Sequence, residues 1–164
     1  MTDNELTQLS TRIGQLLLAR NASVTTAESC TGGWVAKVLT DIAGSSAWFQ
    51  RGFVTYSDTA KQQMIGVTAQ SLAQFGAVSS QVVSEMALGA LHEAGSQYAV
   101  SVSGIAGPDG GSEEKPVGTV WFGFASVSGE VLTLVRCFSG DREAVRRQAT
   151  GWVLQTLHDH FLRN

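Results

Sequence analysis

A run of β-branched residues that stops at two adjacent glycines, S-V-T-T-A-E-S-C-T-G-G over residues 23–33, constrains this chain more than any other segment. Residues 23–29 predict a short strand, because Val24, Thr25 and Thr26 favour extended backbone. Residues 32–44, GGWVAKVLTDIAG, then place Val35, Val38, Leu39 and Ile42 on one helical face, with Gly44 as a stop. Strand, glycine turn and helix in that order form the unit from which α/β sheets are assembled.

The rest of the chain continues the alternation. Leu6, Leu9, Ile13, Leu16 and Leu17 make residues 4–20 an amphipathic helix, acidic at its start and closed by Arg20. WFQRGFVTYS predicts a second strand, and DTAKQQMIG a short helix with Asp58 at its N-cap and Gly66 at its end. TAQSLAQFG follows with Thr68 as cap, then SSQVVSEMALGALHEAG, capped by Ser79 or Ser80 and ended by Gly95. QYAVSVSG reads as a buried strand, and TVWFGFASVSGEVLTLVRCFS as two strands folded back through Ser128 and Gly129. The last helix, in GDREAVRRQATGWVLQTLHDHFL, buries Val145, Ala149, Trp152, Val153 and Leu157. The expected fold is α/β, a three-layer sandwich in which a mixed β-sheet carries helices on both faces, formed by residues 1–164 as a single domain. Ligands of such folds sit at the carboxyl ends of strands.

Composition excludes several classes. Eleven basic against fourteen acidic residues give a net charge of -3, so no global cationic field exists to hold a nucleic-acid polymer. The start, MTDNELTQLS, has neither the basic flank nor the apolar core of a signal peptide, and no long apolar run follows. Together with two distant cysteines, Cys30 and Cys137, this predicts a cytoplasmic protein with reduced thiols and no membrane partner.

Chemistry concentrates where strands are expected to end. Ser29 would face the backbone N–H groups of Thr31, Gly32 and Gly33, which could stabilise an oxyanion or bind a phosphate. A serine before Gly-Gly also serves as an ordinary cap. Cys30 competes as nucleophile, but His92, His158 and His160 all fall in helices away from strand ends, so Cys30 reads as a small side chain packed beneath the turn. The same absence argues against a Ser-His-Asp arrangement and leaves Lys61 as the base, with Tyr56 to relay a proton. A solvated lysine and a packed tyrosine fit the pattern as well.

The glycine-rich loop GIAGPDGGSEEKPVG begins where a strand ends at Ser103 and Gly104, and it meets neither G-x-G-x-x-G nor a Walker A sequence. Arg142 and Arg146 lie one helical turn apart as a phosphate grip, or else as a solvated face paired with Asp141 or Glu143. No metal site is expected: HEAGS has Ser96 where H-E-x-x-H requires histidine.

Five ordered motifs, TTAESCTGG, GFVTYSDTAK, GAVS, SGIAGPDGGSEEKPVGTVW and FSGDREAVRRQA, resemble the CinA C-terminal domain family in its stand-alone, amidohydrolase form. The resemblance spans nearly the whole chain. It implies a cytosolic deamidase that hydrolyses the carboxamide of nicotinamide mononucleotide to nicotinic acid mononucleotide and ammonia, with no cofactor. It implies a serine, lysine and tyrosine at Ser29, Lys61 and Tyr56, the N–H groups of Thr31, Gly32 and Gly33 at the oxyanion, and a homodimer. The phosphate is assigned to the Ser103 and Gly104 loop with Arg146. Trp48 and Phe49 are apolar candidates for exposure, though nothing in the sequence places them at an interface. The competing reading is a catalytically silent module that binds pyridine nucleotides and releases no ammonia.

Overall fold

The computed structural model describes residues 1–163 and contains one five-stranded sheet. Helix α1 spans Asp3–Ala19, held at its start by a reciprocal pair in which Glu5 N–H donates to Thr2 Oγ1 and Thr2 N–H to Glu5 Oε1. Strand β1 is Val24–Glu28, followed by α2 (Trp34–Thr40), β2 (Gly52–Val54), α3 (Asp58–Ile65), α4 (Ala69–Phe75) and α5 (Ser80–Ala94). Strands β3 (Tyr98–Gly104), β4 (Thr119–Ser126) and β5 (Val131–Cys137) complete the sheet, and α6 (Arg142–Thr156) runs on into a π-helical stretch, Leu157–Leu162.

The strand order is β2-β1-β3-β4-β5. β1 pairs parallel with both β2 and β3, while β3–β4 and β4–β5 are antiparallel, so the sheet is mixed as expected. From β1 the chain passes through α2 to the edge strand β2, then through α3, α4 and α5 back to β3 on the other side of β1. These two crossovers leave β1 and β3 as neighbours whose connections depart in opposite directions. Such a switch point opens a crevice at the carboxyl ends of the strands.

The sheet residues alternate between two cores. Val24, Val100, Val102, Val120, Phe122 and Phe124 pack with Leu9, Ile13, Val35, Val145 and Val153 of α1, α2 and α6. Ala27 and Phe53 face the opposite layer, against Ile65, Val82, Val83 and Met86 of α3 and α5.

Several local expectations change. The second strand keeps only Gly52–Val54 of residues 48–57; Trp48 and Phe49 instead turn inward, 2% and 8% exposed, and join the core around α1 and α2. They are therefore not exposed candidates for an interface. Helix α2 stops at Thr40 rather than reaching Ile42. Ser57, not Asp58, caps α3, its hydroxyl accepting from Ala60 N–H. In α6 the buried stripe includes Leu154, and Trp152 is only half-buried.

Candidate active site

Ser29 is the first residue beyond β1, and its amide still donates to Val102 O of β3 at 2.9 Å. The sheet thus fixes the backbone of this serine. The chain then turns through Gly32 and Gly33 at φ of 59° and 105°, left-handed values that a side chain with a Cβ would strain against.

Two oppositely charged groups hold that turn. Glu28, 1% exposed, accepts at Oε1 from Thr31 Oγ1 (2.7 Å), Gly33 N–H (3.2 Å) and Val35 N–H (2.9 Å), and at Oε2 from Ala36 N–H (3.0 Å). Its carboxylate occupies the start of α2, where unpaired amides and the helix dipole favour an anion. From α6, Arg146 donates Nε to Cys30 O (3.0 Å) and Nη2 to Thr31 O (3.2 Å).

Lys61 reaches Ser29 because β2 lies parallel beside β1, with Val54 opposite Glu28, so the start of α3 falls next to the start of the serine turn. Its Nζ donates to Ser29 Oγ and to Thr55 O, each at 2.9 Å. The ammonium end is enclosed: Lys61 is 1% exposed and Ser29 8%. Burial pushes the Lys61 pKa below the ordinary lysine value, partly opposed by the negative charge of Asp58. Serine and lysine within hydrogen-bond reach, with the amine biased toward its neutral form, can perform nucleophilic catalysis without histidine.

Cys30 is buried, and desolvation above all, with the Glu28 charge adding to it, pushes its thiol up to about 12. A thiol so placed carries a negligible thiolate fraction at neutral pH, which argues against Cys30 as a nucleophile.

A cleft of about 280 Å³ opens over the serine at the switch point. Ser29, Tyr56, Gly104, Gly107, Asp109 and Arg142 are among the residues lining it. Arg142 donates Nη2 to Tyr56 Oη (2.8 Å) and Nη1 to Gly107 O (2.8 Å), tying the end of β2 to the glycine-rich loop.

The sequence-predicted residues therefore divide. Ser29, Lys61, Tyr56 and Gly104 meet at or beneath this cleft; Ser103, 1% exposed, is buried one residue short of its rim. Thr31, Gly32, Gly33 and Arg146 instead line a second cleft of about 440 Å³ with Trp34 and Arg147. The Gly32 amide donates to Ser29 O (3.0 Å), and the Gly33 amide and Thr31 hydroxyl are engaged by Glu28. Arg142 and Arg146 line different clefts and do not pair with Asp141 or Glu143; each grips a different part of the site. The sequence motifs do not single out Glu28 or Asp109. A glutamate ending a β-branched strand just before a helix start is the available signal for Glu28, since those amides require an acceptor. Among the described residues no three His, Cys, Asp or Glu side chains cluster as a metal site requires.

Known proteins are similar to this chain along nearly all of its length. The family model for the CinA C-terminal domain matches residues 6–161. An Escherichia coli (strain K12) protein named nicotinamide-nucleotide amidohydrolase PncC is 72% identical over 164 residues, covering 100% of this chain and 99% of that one. A protein of the same name from Enterobacter agglomerans is 63% identical, with 100% of both chains covered. The crystal structure of competence damage-inducible protein A (ComA) from Klebsiella pneumoniae superposes with a TM-score of 0.91 at 41% identity, over 94% of this chain and 96% of that one. With the family model matched over residues 6–161 and relatives 72% and 63% identical along nearly their whole lengths, the chain belongs to the CinA C-terminal domain family.

Proposed function

We propose that this protein hydrolyses the carboxamide of nicotinamide mononucleotide, giving nicotinic acid mononucleotide and ammonia through a covalent serine intermediate. The observation that carries the chemistry is the 2.9 Å contact between Lys61 Nζ and Ser29 Oγ, buried beneath an open cleft. The substrate follows from the full-length relatives named nicotinamide-nucleotide amidohydrolase.

In this reading neutral Lys61 keeps its donation to Thr55 O and turns its lone pair toward Ser29, whose hydroxyl becomes the donor. Ser29 Oγ attacks the amide carbon as its proton passes to Lys61. Because the Gly32 and Gly33 amides already have acceptors and Thr31 lines the second cleft, the oxyanion falls to the amide of Cys30, a residue that lines the cleft over Ser29 and whose N–H has no acceptor from another described residue. Tyr56, its oxygen held by Arg142, delivers a proton to the departing nitrogen and is reprotonated by Lys61, so the Ser29 proton leaves with ammonia and Lys61 is neutral again. Water then attacks the acyl-enzyme with Lys61 again as base, restoring Ser29 and Lys61.

Arg142, rather than Arg146, faces the cleft and carries the phosphate with the loop that begins at Ser103 and Gly104. Arg146 acts on the turn that holds Ser29. The same reading carries one domain over residues 1–164, a homodimer and a cytoplasmic location; no helix among the described residues is long and apolar enough to cross a membrane.

The test is ammonia release from nicotinamide mononucleotide by wild type, Ser29→Ala and Lys61→Ala, each checked for a native circular dichroism spectrum, with the oligomeric state read by light scattering. Turnover by wild type and a loss of at least about 1,000-fold in both variants is expected. An inactive wild type that binds the nucleotide would establish the silent-module reading instead.

A further inference from the structure

The cleft over Ser29 is lined by two charged side chains of opposite sign, Arg142 and Asp109, and they are not paired with each other. Arg142 is committed to Gly107 O and Tyr56 Oη. Asp109 makes no side-chain hydrogen bond or ion pair with any described residue. An unpaired carboxylate on an ordinary surface loop would mean little. This one lines the same cleft as Ser29, on a loop tied at both ends.

At the base of that loop Ile105 N–H donates to Thr119 O (2.9 Å) and Gly118 N–H to Ile105 O (2.8 Å). Farther out, Ser112 N–H donates to Lys115 O (2.9 Å), and Lys115 Nζ reaches Phe75 O of α4 (3.0 Å). The other acids of the loop, Glu113 and Glu114, do not line the cleft.

Nicotinamide joined to ribose through its ring nitrogen is a quaternary pyridinium. It carries a positive charge but no N–H on that nitrogen, so a protein can recognise the charge only by electrostatics or by an aromatic face. Its phosphate is negative. A cleft with one free carboxylate and one guanidinium has the matching pair of charges. Resting on the substrate reading above, we infer that Asp109 is the specificity-determining residue that selects the cationic pyridinium ring over an uncharged ring of the same shape.

The experiment uses Ser29→Ala protein, which holds ligand without turnover, and two ligands measured by calorimetry at fixed salt. One is nicotinamide mononucleotide. The other is its C-nucleoside counterpart with a 3-carbamoylphenyl ring, which keeps the carboxamide, ribose and phosphate but lacks the ring charge. Adding Asp109→Asn is expected to weaken nicotinamide mononucleotide roughly three- to tenfold and the neutral analogue less than twofold, the size of a partly solvated ion pair. Raising salt should narrow the preference of the protein that keeps Asp109 and leave the ratio of the Asp109→Asn variant unchanged. Equal weakening of both ligands would overturn the inference, since it would mean that Asp109 only shapes the loop; no change in either would overturn it too. Retained ammonia release by wild type in either case would leave the amidase reading standing, whereas absence of both binding and turnover with nicotinamide mononucleotide would refute the two together.

Discussion

Replacing Glu28 should separate the two things this carboxylate does. In Glu28→Ala, four donors lose their acceptor: the Thr31 hydroxyl and the amides of Gly33, Val35 and Ala36. Val35 and Thr31 are fully buried, so water cannot readily replace the carboxylate there, while Gly33 and Ala36 are half-buried. Counting about 1–3 kcal/mol for each of the two buried donors and little for the others gives a loss of about 2–6 kcal/mol, or about 4–24 °C in Tm for a chain of this size. Glu28→Gln is the informative partner. Its carbonyl can take the place of Oε1, which accepts three of the four bonds, leaving only the Ala36 amide facing an NH₂ group. That loss is about 1–2 kcal/mol, or about 2–8 °C.

The Gln variant should therefore fold and bind substrate, yet turn over more slowly. Ser29 adjoins Glu28 in the chain, and a shift of about 1 Å in a nucleophile can cost roughly 100-fold in rate. Thermal unfolding, and kcat measured separately from KM, check both halves. The reasoning fails if Glu28→Ala melts within about 2 °C of wild type, or if Gln is as damaging to stability as Ala.

Two further outcomes follow from buried ionisable groups. Lys61 has its pKa lowered by burial, so only the form present above that value is a base, and kcat/KM should rise with pH along an acid limb controlled by Lys61. Between the lowered value and the ordinary one of about 10.4 the unfolded chain binds this proton and the folded chain does not, so stability rises with pH across that window. Lys61→Met should abolish turnover and remove that rise; urea unfolding at several pH values tests it, and an unchanged slope in the variant would refute the assignment. For the thiols, Cys30→Ala should retain turnover within about twofold, and iodoacetamide near neutral pH should label exposed Cys137 while sparing Cys30, whose thiol is pushed up to about 12. Peptide mass spectrometry after labelling decides it, and a rate that disappears with Cys30 would make the enzyme a cysteine hydrolase.

How far the sequence can be read depends on whether a feature is local. The caps of α4 and α5 at Thr68 and Ser79, and the glycine stops at Gly66 and Gly95, are set by short-range hydrogen bonding and by the cost of a left-handed turn. The hairpin of β4 and β5 is legible for the same reason. Trp48 and Phe49 are not, because two aromatics beside a strand pattern do not reveal that the chain bends there and drives both into the core around α1 and α2. Arg142 and Arg146 share a helix face by spacing, but one turn of helix is enough to send them to different clefts.

The sequence alone determined which chemistry was available: a serine at a strand end followed by glycines, one lysine in range, and no histidine near a strand end. Periodicity and capping are properties of neighbouring residues, so they survive in a string of letters. Only the tertiary structure decided which groups work together. Lys61 meets Ser29 because β2 pairs beside β1, and Glu28 closes the helix start that by pattern alone is open for an oxyanion. Asp109 lines the cleft on a loop, residues 105–118, that is pinned at its base to Thr119 of β4 and through Lys115 to Phe75 at the end of α4. Contacts between residues distant in sequence are fixed by strand order and packing, which local pattern does not encode.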